Sequence, residues 1–322
     1  MRDGFGREIN YLRLSLTDRC NLRCGYCMPQ GITPAAHGDI LTYEELLRLA
    51  ACAVKLGITR FKVTGGEPLV RRDCPAFVGR LKAVPGVEQV TLTTNGTLLP
   101  AYLPALGAAG LDGVNVSIDA MDPAVFAQIT GNKAPMPDWT GLLSSCLAAG
   151  WNTKVNVVLL AENRGEWQSL AALAETLAVD VRFIERMPLG QGGNAAPVAA
   201  GELLTALRTR WPDLHPVQEH RGNGPARYYA SAQLRGRLGV IAAVSRRFCS
   251  DCNRVRLTST GWLKPCLCYE AGTDLRSLLR TGASDEALCA AISQTIAAKP
   301  EAHCFDQPGS ISEHRAMSQI GG

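Results

Sequence analysis

Cys20-Asn21-Leu22-Arg23-Cys24-Gly25-Tyr26-Cys27 sets three thiols four and then three residues apart, directly after an apolar, strand-like run. Soft thiolates gathered on one short loop suit a metal ion or an iron–sulfur centre. Three is the informative number, because a [4Fe–4S] cluster presents an iron to each of four ligands and three cysteines leave one iron open. That iron can bind a group that is not protein, so the loop reads as the seat of a reactive cluster. A zinc site, or three cysteines with unrelated packing roles, are the alternatives that the spacing alone leaves standing.

The runs Ile9–Leu16, Phe61–Thr64, Val87–Thr93, Gly113–Ile118, Val155–Leu160 and Val181–Ile184 read as six strands, separated by helical patterns such as Leu98–Ala109 and Glu166–Ala178. Thr42-Tyr43-Glu44-Glu45 predicts a capped helix start, the helix running to about Lys55 and closing at Gly57. Strands alternating with crossover helices imply a parallel sheet with right-handed connections. Six such units predict an α/β fold, an incomplete (β/α)6 TIM-type barrel, in which the working residues sit on the loops after the strands.

Those loops carry polar signatures. Thr64-Gly65-Gly66-Glu67-Pro68 follows the second strand; its paired glycines let backbone approach a ligand, and Glu67 can accept hydrogen bonds from an ammonium group. Thr93-Thr94-Asn95-Gly96 and Ser117-Ile118-Asp119-Ala120 bring hydroxyls and amides to the same rim. Ala134–Trp139, with two prolines and an exposed-looking tryptophan, disturbs the fourth helix. Pro188–Pro197, which includes Asn194, reads as the exit from the barrel. Residues 1–190 are thus expected to form the barrel and 191–322 a C-terminal covering region, with a helix at Ala200–Arg210 and strands of a covering layer in Arg227–Ser245.

Cys249-Ser250-Asp251-Cys252, followed by a strand–Gly–strand pattern to Cys266, makes a second three-thiol set. A zinc ribbon would need a fourth ligand, Cys268 or a histidine. The sharper reading is a second [4Fe–4S] cluster with its own open iron. The other six cysteines (Cys52, Cys74, Cys146, Cys268, Cys289, Cys304) are expected to be small buried hydrophobes. A net charge of +4 is too modest to argue for nucleic acid and suits a small anionic substrate. No apolar run is long enough to span a bilayer, and Met1–Gly6 lacks the apolar core of a signal peptide, so a cytoplasmic protein is expected.

The Cys20–Cys27 spacing, with Tyr26 between the second and third thiols and Gly65-Gly66-Glu67-Pro68 one unit later, resembles the radical SAM superfamily. The resemblance implies that the open iron chelates S-adenosylmethionine and that an electron from the cluster releases a 5′-deoxyadenosyl radical. Thr17-Asp18-Arg19-Cys20, Cys249-Ser250-Asp251-Cys252-Asn253-Arg254-Val255-Arg256-Leu257 and the ending Met317-Ser318-Gln319-Ile320-Gly321-Gly322 narrow it to the GTP 3′,8-cyclase family of molybdenum cofactor biosynthesis, over nearly the whole chain.

That family resemblance implies abstraction of the ribose 3′ hydrogen of GTP and attack of the carbon radical on C8 of guanine. It implies metal ligation by Cys20, Cys24 and Cys27 and by Cys249, Cys252 and Cys266, with S-adenosylmethionine held by Tyr26, Gly66, Glu67, Ser117 and Met187. GTP would meet Arg13, Lys62, Thr93, Lys154, Arg254 and Arg256; Lys154, near the start of its strand, lies away from the rim. Arg254, Arg256 and the Gly321-Gly322 pair, which enters the active-site cavity in this family, would serve the cyclisation itself. The implied partners are an electron donor such as flavodoxin or ferredoxin and a downstream cyclic pyranopterin monophosphate synthase, with a homodimer as a candidate assembly. A peptide-modifying radical SAM enzyme with an auxiliary cluster is the alternative.

Overall fold

The computed structural model of the protein describes residues 1–28, 31–131, 133–190, 198–219 and 221–321. The strands are β1 (Tyr11–Ser15), β2 (Arg60–Thr64), β3 (Gln89–Thr94), β4 (Gly113–Ser117), β5 (Asn152–Leu159), β6 (Asp180–Glu185), β7 (His215–Val217), β8 (Arg227–Ala230), β9 (Leu238–Ile241), β10 (Arg254–Leu257), β11 (Trp262–Lys264) and β12 (Thr273–Asp274). They form one sheet in the order β12-β11-β10-β1-β2-β3-β4-β5-β6-β9-β8-β7. The six expected strands are its parallel centre, and β10 and β9 extend the parallel run at its two ends. Among the described residues no ladder joins the outer strands, so the barrel is incomplete.

Period-two sequence decides which side chains face inward. In β1 Leu12 and Leu14 are buried in the core, while Arg13 between them turns to the opposite face and the central cavity. Phe61 and Val63 flank Lys62 in the same way on β2. The outward apolar rows are covered by helices such as Tyr43–Lys55, whose start is the expected capping box: the Thr42 hydroxyl accepts from Glu45 N (3.1 Å) and Glu45 Oε2 from Thr42 N (2.7 Å). No helix among the described residues is long and apolar enough to cross a membrane.

Four local expectations change. Arg227–Ser245 does not form a separate covering layer: β8 and β9 continue the sheet beyond β6. Trp139 is 2% exposed, packed edge-on against Phe126 with its indole N–H donating to the Ala120 carbonyl (3.1 Å), because Ala134–Asp138 turns the chain between two helices, Pro123–Thr130 and Trp139–Ala148. The expected helix Glu166–Ala178 is broken into Trp167–Ala171 and Leu173–Thr176. Cys289 is only partly buried, whereas the other five scattered cysteines are buried as expected. Asn194 and residues 191–197 of the expected exit loop, and Gly322, lie outside the described residues.

Candidate active site

The cysteine loop leaves the carboxyl end of β1 and turns sharply, Cys27 N and Met28 N both donating to the Cys24 carbonyl (3.0 and 2.9 Å). This places Cys20, Cys24 and Cys27 on the wall of one cavity of about 310 Å³. Asn95, on the loop after β3, reaches Cys20 Sγ (3.8 Å) and Asn21 Oδ1 (2.9 Å), and Tyr26 donates its hydroxyl to Asp119 (2.8 Å) on the loop after β4. Asp119 also accepts from Val158 N (2.8 Å) on β5, so the loops after β3 and β4, the latter tied to β5, brace the thiol loop. Burial lifts the Asp119 carboxyl to about 6, against these hydrogen bonds.

Gly66, Ser117, Tyr26 and Met187 line the same cavity. Gly66 approaches the neighbouring loop so closely that a Cβ there would lie 2.3 Å from the Arg19 carbonyl oxygen; only glycine fits. Glu67 is not among the lining residues. Its carboxylate is 1% exposed and accepts from Leu69 N (3.0 Å), Thr94 Oγ1 (2.9 Å) and Asn95 N (2.8 Å), tying the loop after β2 to the loop after β3, while burial brings its pKa up to about 7.

Deeper in the cavity the inward positions of the strands are cationic. Strand register sets Arg256, Arg13 and Lys62 side by side on β10, β1 and β2. Lys154 on β5 and Arg182 on β6 add to them, and Arg254 enters from the start of β10. Burial depresses Lys62 and Arg256 well below their ordinary values and Arg13 to about 10, each reinforced by the neighbouring cations. Among the described lining residues Glu185 is the one carboxylate, and it is taken up by Ala200 N (3.0 Å), Val244 N (2.9 Å), Ser245 N (2.8 Å) and the Ser245 hydroxyl. A cavity that buries so much like charge is built for a polyanion. Lys154 is indeed near the start of its strand; it lines the deep end, 3.3 Å from Asp180, and donates to the Arg221 carbonyl. Thr93 Oγ1 is buried without a partner on the same wall, a polar atom that a bound group would satisfy.

The second thiol set sits beside this cavity. Phe248, Arg254 and Leu267, each one or two residues from Cys249, Cys252 or Cys266, line it, whereas those three cysteines do not. Cys249 Sγ accepts from His303 N (3.3 Å). Burial raises the Cys252 thiol, but Arg254 and Lys299 outweigh it and bring it down to about 7, so a thiolate is available to iron. Cys268 is fully buried and turned to Cys304, with 3.0 Å between the sulfurs, while Cys266 is partly exposed. The donor sets therefore fit two iron–sulfur clusters, each with three free thiols; among the described residues no three His, Cys, Asp or Glu side chains are arranged to hold a single metal ion.

The C-terminal segment closes the site. Met317 and Ser318 line the cavity, the Ser318 amide is hydrogen-bonded to the Cys27 thiol, and Arg256 donates to the Gly321 carbonyl. Sequence reasoning missed Arg182, Lys299 and Ser318, and placed Asp119 on the rim without its role as the partner of Tyr26. Arg182 was findable from the alternation Val181-Arg182-Phe183 that singles out Arg13 and Lys62; the others depend on contacts between distant segments.

Residues 14–174 match the family model of the radical SAM superfamily, and residues 179–305 that named Molybdenum Cofactor Synthesis C. The chain is 43% identical over 327 residues to a GTP 3′,8-cyclase of Heliobacterium modesticaldum, covering 100% of both chains. It is 42% identical to a GTP 3′,8-cyclase of Geobacter sulfurreducens, covering 99% of each. Among solved structures it is similar in fold to SuiB of Streptococcus suis bound to S-adenosylmethionine, with a TM-score of 0.63 at 14% identity, covering 89% of this chain and 68% of that one. By its full-length identity to these relatives, the chain belongs to the GTP 3′,8-cyclase family of radical SAM enzymes.

Proposed function

We propose that the protein converts GTP to (8S)-3′,8-cyclo-7,8-dihydroguanosine 5′-triphosphate, the first step of molybdenum cofactor biosynthesis. The observation that carries this reading is the row Arg256, Arg13, Lys62, which crosses three strands of a cavity walled by one thiol set and flanked by the other. When bound, the [4Fe–4S] cluster and S-adenosylmethionine supply a 5′-deoxyadenosyl radical.

The chain's own residues bind and orient. Cys20, Cys24 and Cys27 hold the first cluster, with Tyr26, Gly66, Ser117 and Met187 around S-adenosylmethionine; Glu67 serves through the Thr94-Asn95 loop. Cys249, Cys252 and Cys266 hold the second cluster, beside which Arg254 and Arg256 receive the nucleotide. Arginine forks and lysine point charges fix the triphosphate, Thr93 offers its unpartnered hydroxyl, and Gly321 packs where an added Cβ would lie 3.1 Å from Ser15 Cβ at a positive φ that favours glycine. Holding C3′ of the ribose against the radical source is a gain in proximity, which supplies much of the acceleration in such reactions. Residues 1–190 form the partial barrel with the first cluster, and 191–322 the C-terminal region with the second cluster and the Gly-Gly tail; the substrate cations come from both. A flavodoxin or ferredoxin as electron donor, a cyclic pyranopterin monophosphate synthase as consumer of the product, a cytoplasmic setting and a homodimer complete the reading.

The test uses anaerobically reconstituted protein given dithionite, S-adenosylmethionine and GTP. The expected result is 5′-deoxyadenosine together with a GTP-derived pterin precursor; adenosylmethionine cleavage without a GTP-derived product would move the substrate elsewhere.

A further inference from the structure

Lys264 and Glu313 form an ion pair with side chains 0% and 1% exposed, and neither lines the cavity. Glu313 Oε1 accepts from Arg315 N and Nε (both 2.9 Å), and Oε2 accepts from Arg315 Nη2 (2.8 Å) and from Lys264. Lys264 also donates to the Tyr269 carbonyl, and Glu313 N to the Cys268 carbonyl (3.3 Å). The carboxylate thus joins the start of the C-terminal segment to the hairpin that carries Cys266.

β10 and β11 pair so that Arg256 stands directly opposite Lys264. Residues directly opposite in an antiparallel pair share a face. One of the two holds Glu313, and the other donates to the Gly321 carbonyl. Between these points the segment makes a helical turn, Met317–Ile320, that buries Ile320 completely and presents Met317 and Ser318 to the cavity.

Register matters at the far end. Gly321 has φ 81°, and a Cβ there would lie 3.1 Å from Ser15 Cβ and 3.3 Å from Thr64 Oγ1. A slip by one residue would deliver Ile320 into this slot. Apolar packing tolerates sliding, whereas a buried ion cluster with directed hydrogen bonds does not; fixing register is the best-attested use of such clusters.

We infer that the cross-strand pair Arg256 and Lys264 grips the C-terminal segment at two points, and that Lys264 and Glu313 are positioning residues for the cyclisation. The inference rests on the GTP-cyclising reading of the cavity.

The test compares wild type, Glu313→Gln and Arg315→Met as anaerobic holoenzymes. It measures iron content, amide hydrogen exchange of the C-terminal peptide, and GTP-derived product per 5′-deoxyadenosine. In Glu313→Gln the tail exchange should rise about tenfold and the product ratio fall about tenfold, with iron content unchanged. A residue that only supports the fold would not uncouple product from adenosylmethionine cleavage. Arg315→Met leaves the Lys264–Glu313 pair in place and serves where Glu313→Gln fails to fold; it should shift both readouts in the same direction by about threefold. Exchange and product ratio within about twofold of wild type in the folded variants would overturn the inference. A wild type that yields no GTP-derived product would instead sink the substrate reading, while the exchange rates still decide the grip.

Discussion

Arg182 reaches the cavity from β6 with Nη2 donating to Asn156 (2.7 Å) and a buried Nε without a partner. A buried donor left unpaired costs about 1–3 kcal/mol, which a phosphate oxygen would recover. Arg182→Gln should therefore weaken GTP binding about tenfold or more, while iron content stays at the wild-type level. Unchanged affinity in an equilibrium titration would contradict this.

Lys154 carries a pH dependence. Burial and the charge of Arg182 lower its pKa to about 8, although Asp180 opposes them. The sign follows from the direction. Below about 8 the lysine is charged and assists the triphosphate; above it the charge is lost from the empty cavity, so the Kd for GTP should rise with pH through this value. For folding, a lysine depressed below its ordinary 10.5 costs stability when charged, and this cost fades as pH rises from about 8 towards 10.5. Lys154→Met should flatten the binding profile, and a wild-type Kd that is constant across the range would refute the assignment.

The two adjacent thiols near the second cluster separate by burial. Cys266→Ala should lose about half of the iron, whereas Cys268→Ala, which removes a sulfur packed on Cys304, should keep about eight irons per chain. The reverse outcome in an iron assay would exchange their roles. The cysteine spacings themselves were readable because ligands to one centre must be near in sequence; the partner of Glu67 was not, since a carboxylate with two free oxygens looks the same on paper whether it faces ligand or protein.

At the scale of elements, β1 to β6 were legible because strands buried on one face alternate apolar and polar residues in short runs. The placement of β9 and β10 was not. β10 pairs with β1 although Tyr11 and Arg254 lie far apart in the chain, and no local pattern encodes such a partner. The split between Trp167–Ala171 and Leu173–Thr176 escaped for a related reason: apolar periodicity persists through a bend that tertiary packing imposes. The terminal glycines belong to this scale too. Deleting Gly321 and Gly322, or replacing them with bulkier residues, should abolish cyclised product while both clusters still assemble; a fully active truncation would refute a role for them.

For the whole molecule, the loop after β1 sets the first thiols on the cavity wall, and the C-terminal strand β10, paired with β1, brings the second set beside the same cavity. Clusters with an open iron beside such a cavity should be lost in air, and activity that survives aerobic handling would count against the assignment. The most direct measurement is on the anaerobically reconstituted enzyme: iron and sulfide content, then incubation with dithionite, S-adenosylmethionine and GTP and chromatography of the products. About eight irons per chain, with 5′-deoxyadenosine and a pterin precursor that appear only when GTP is present, is the predicted result. Adenosylmethionine cleavage on a fully loaded enzyme with no GTP-derived product would contradict it.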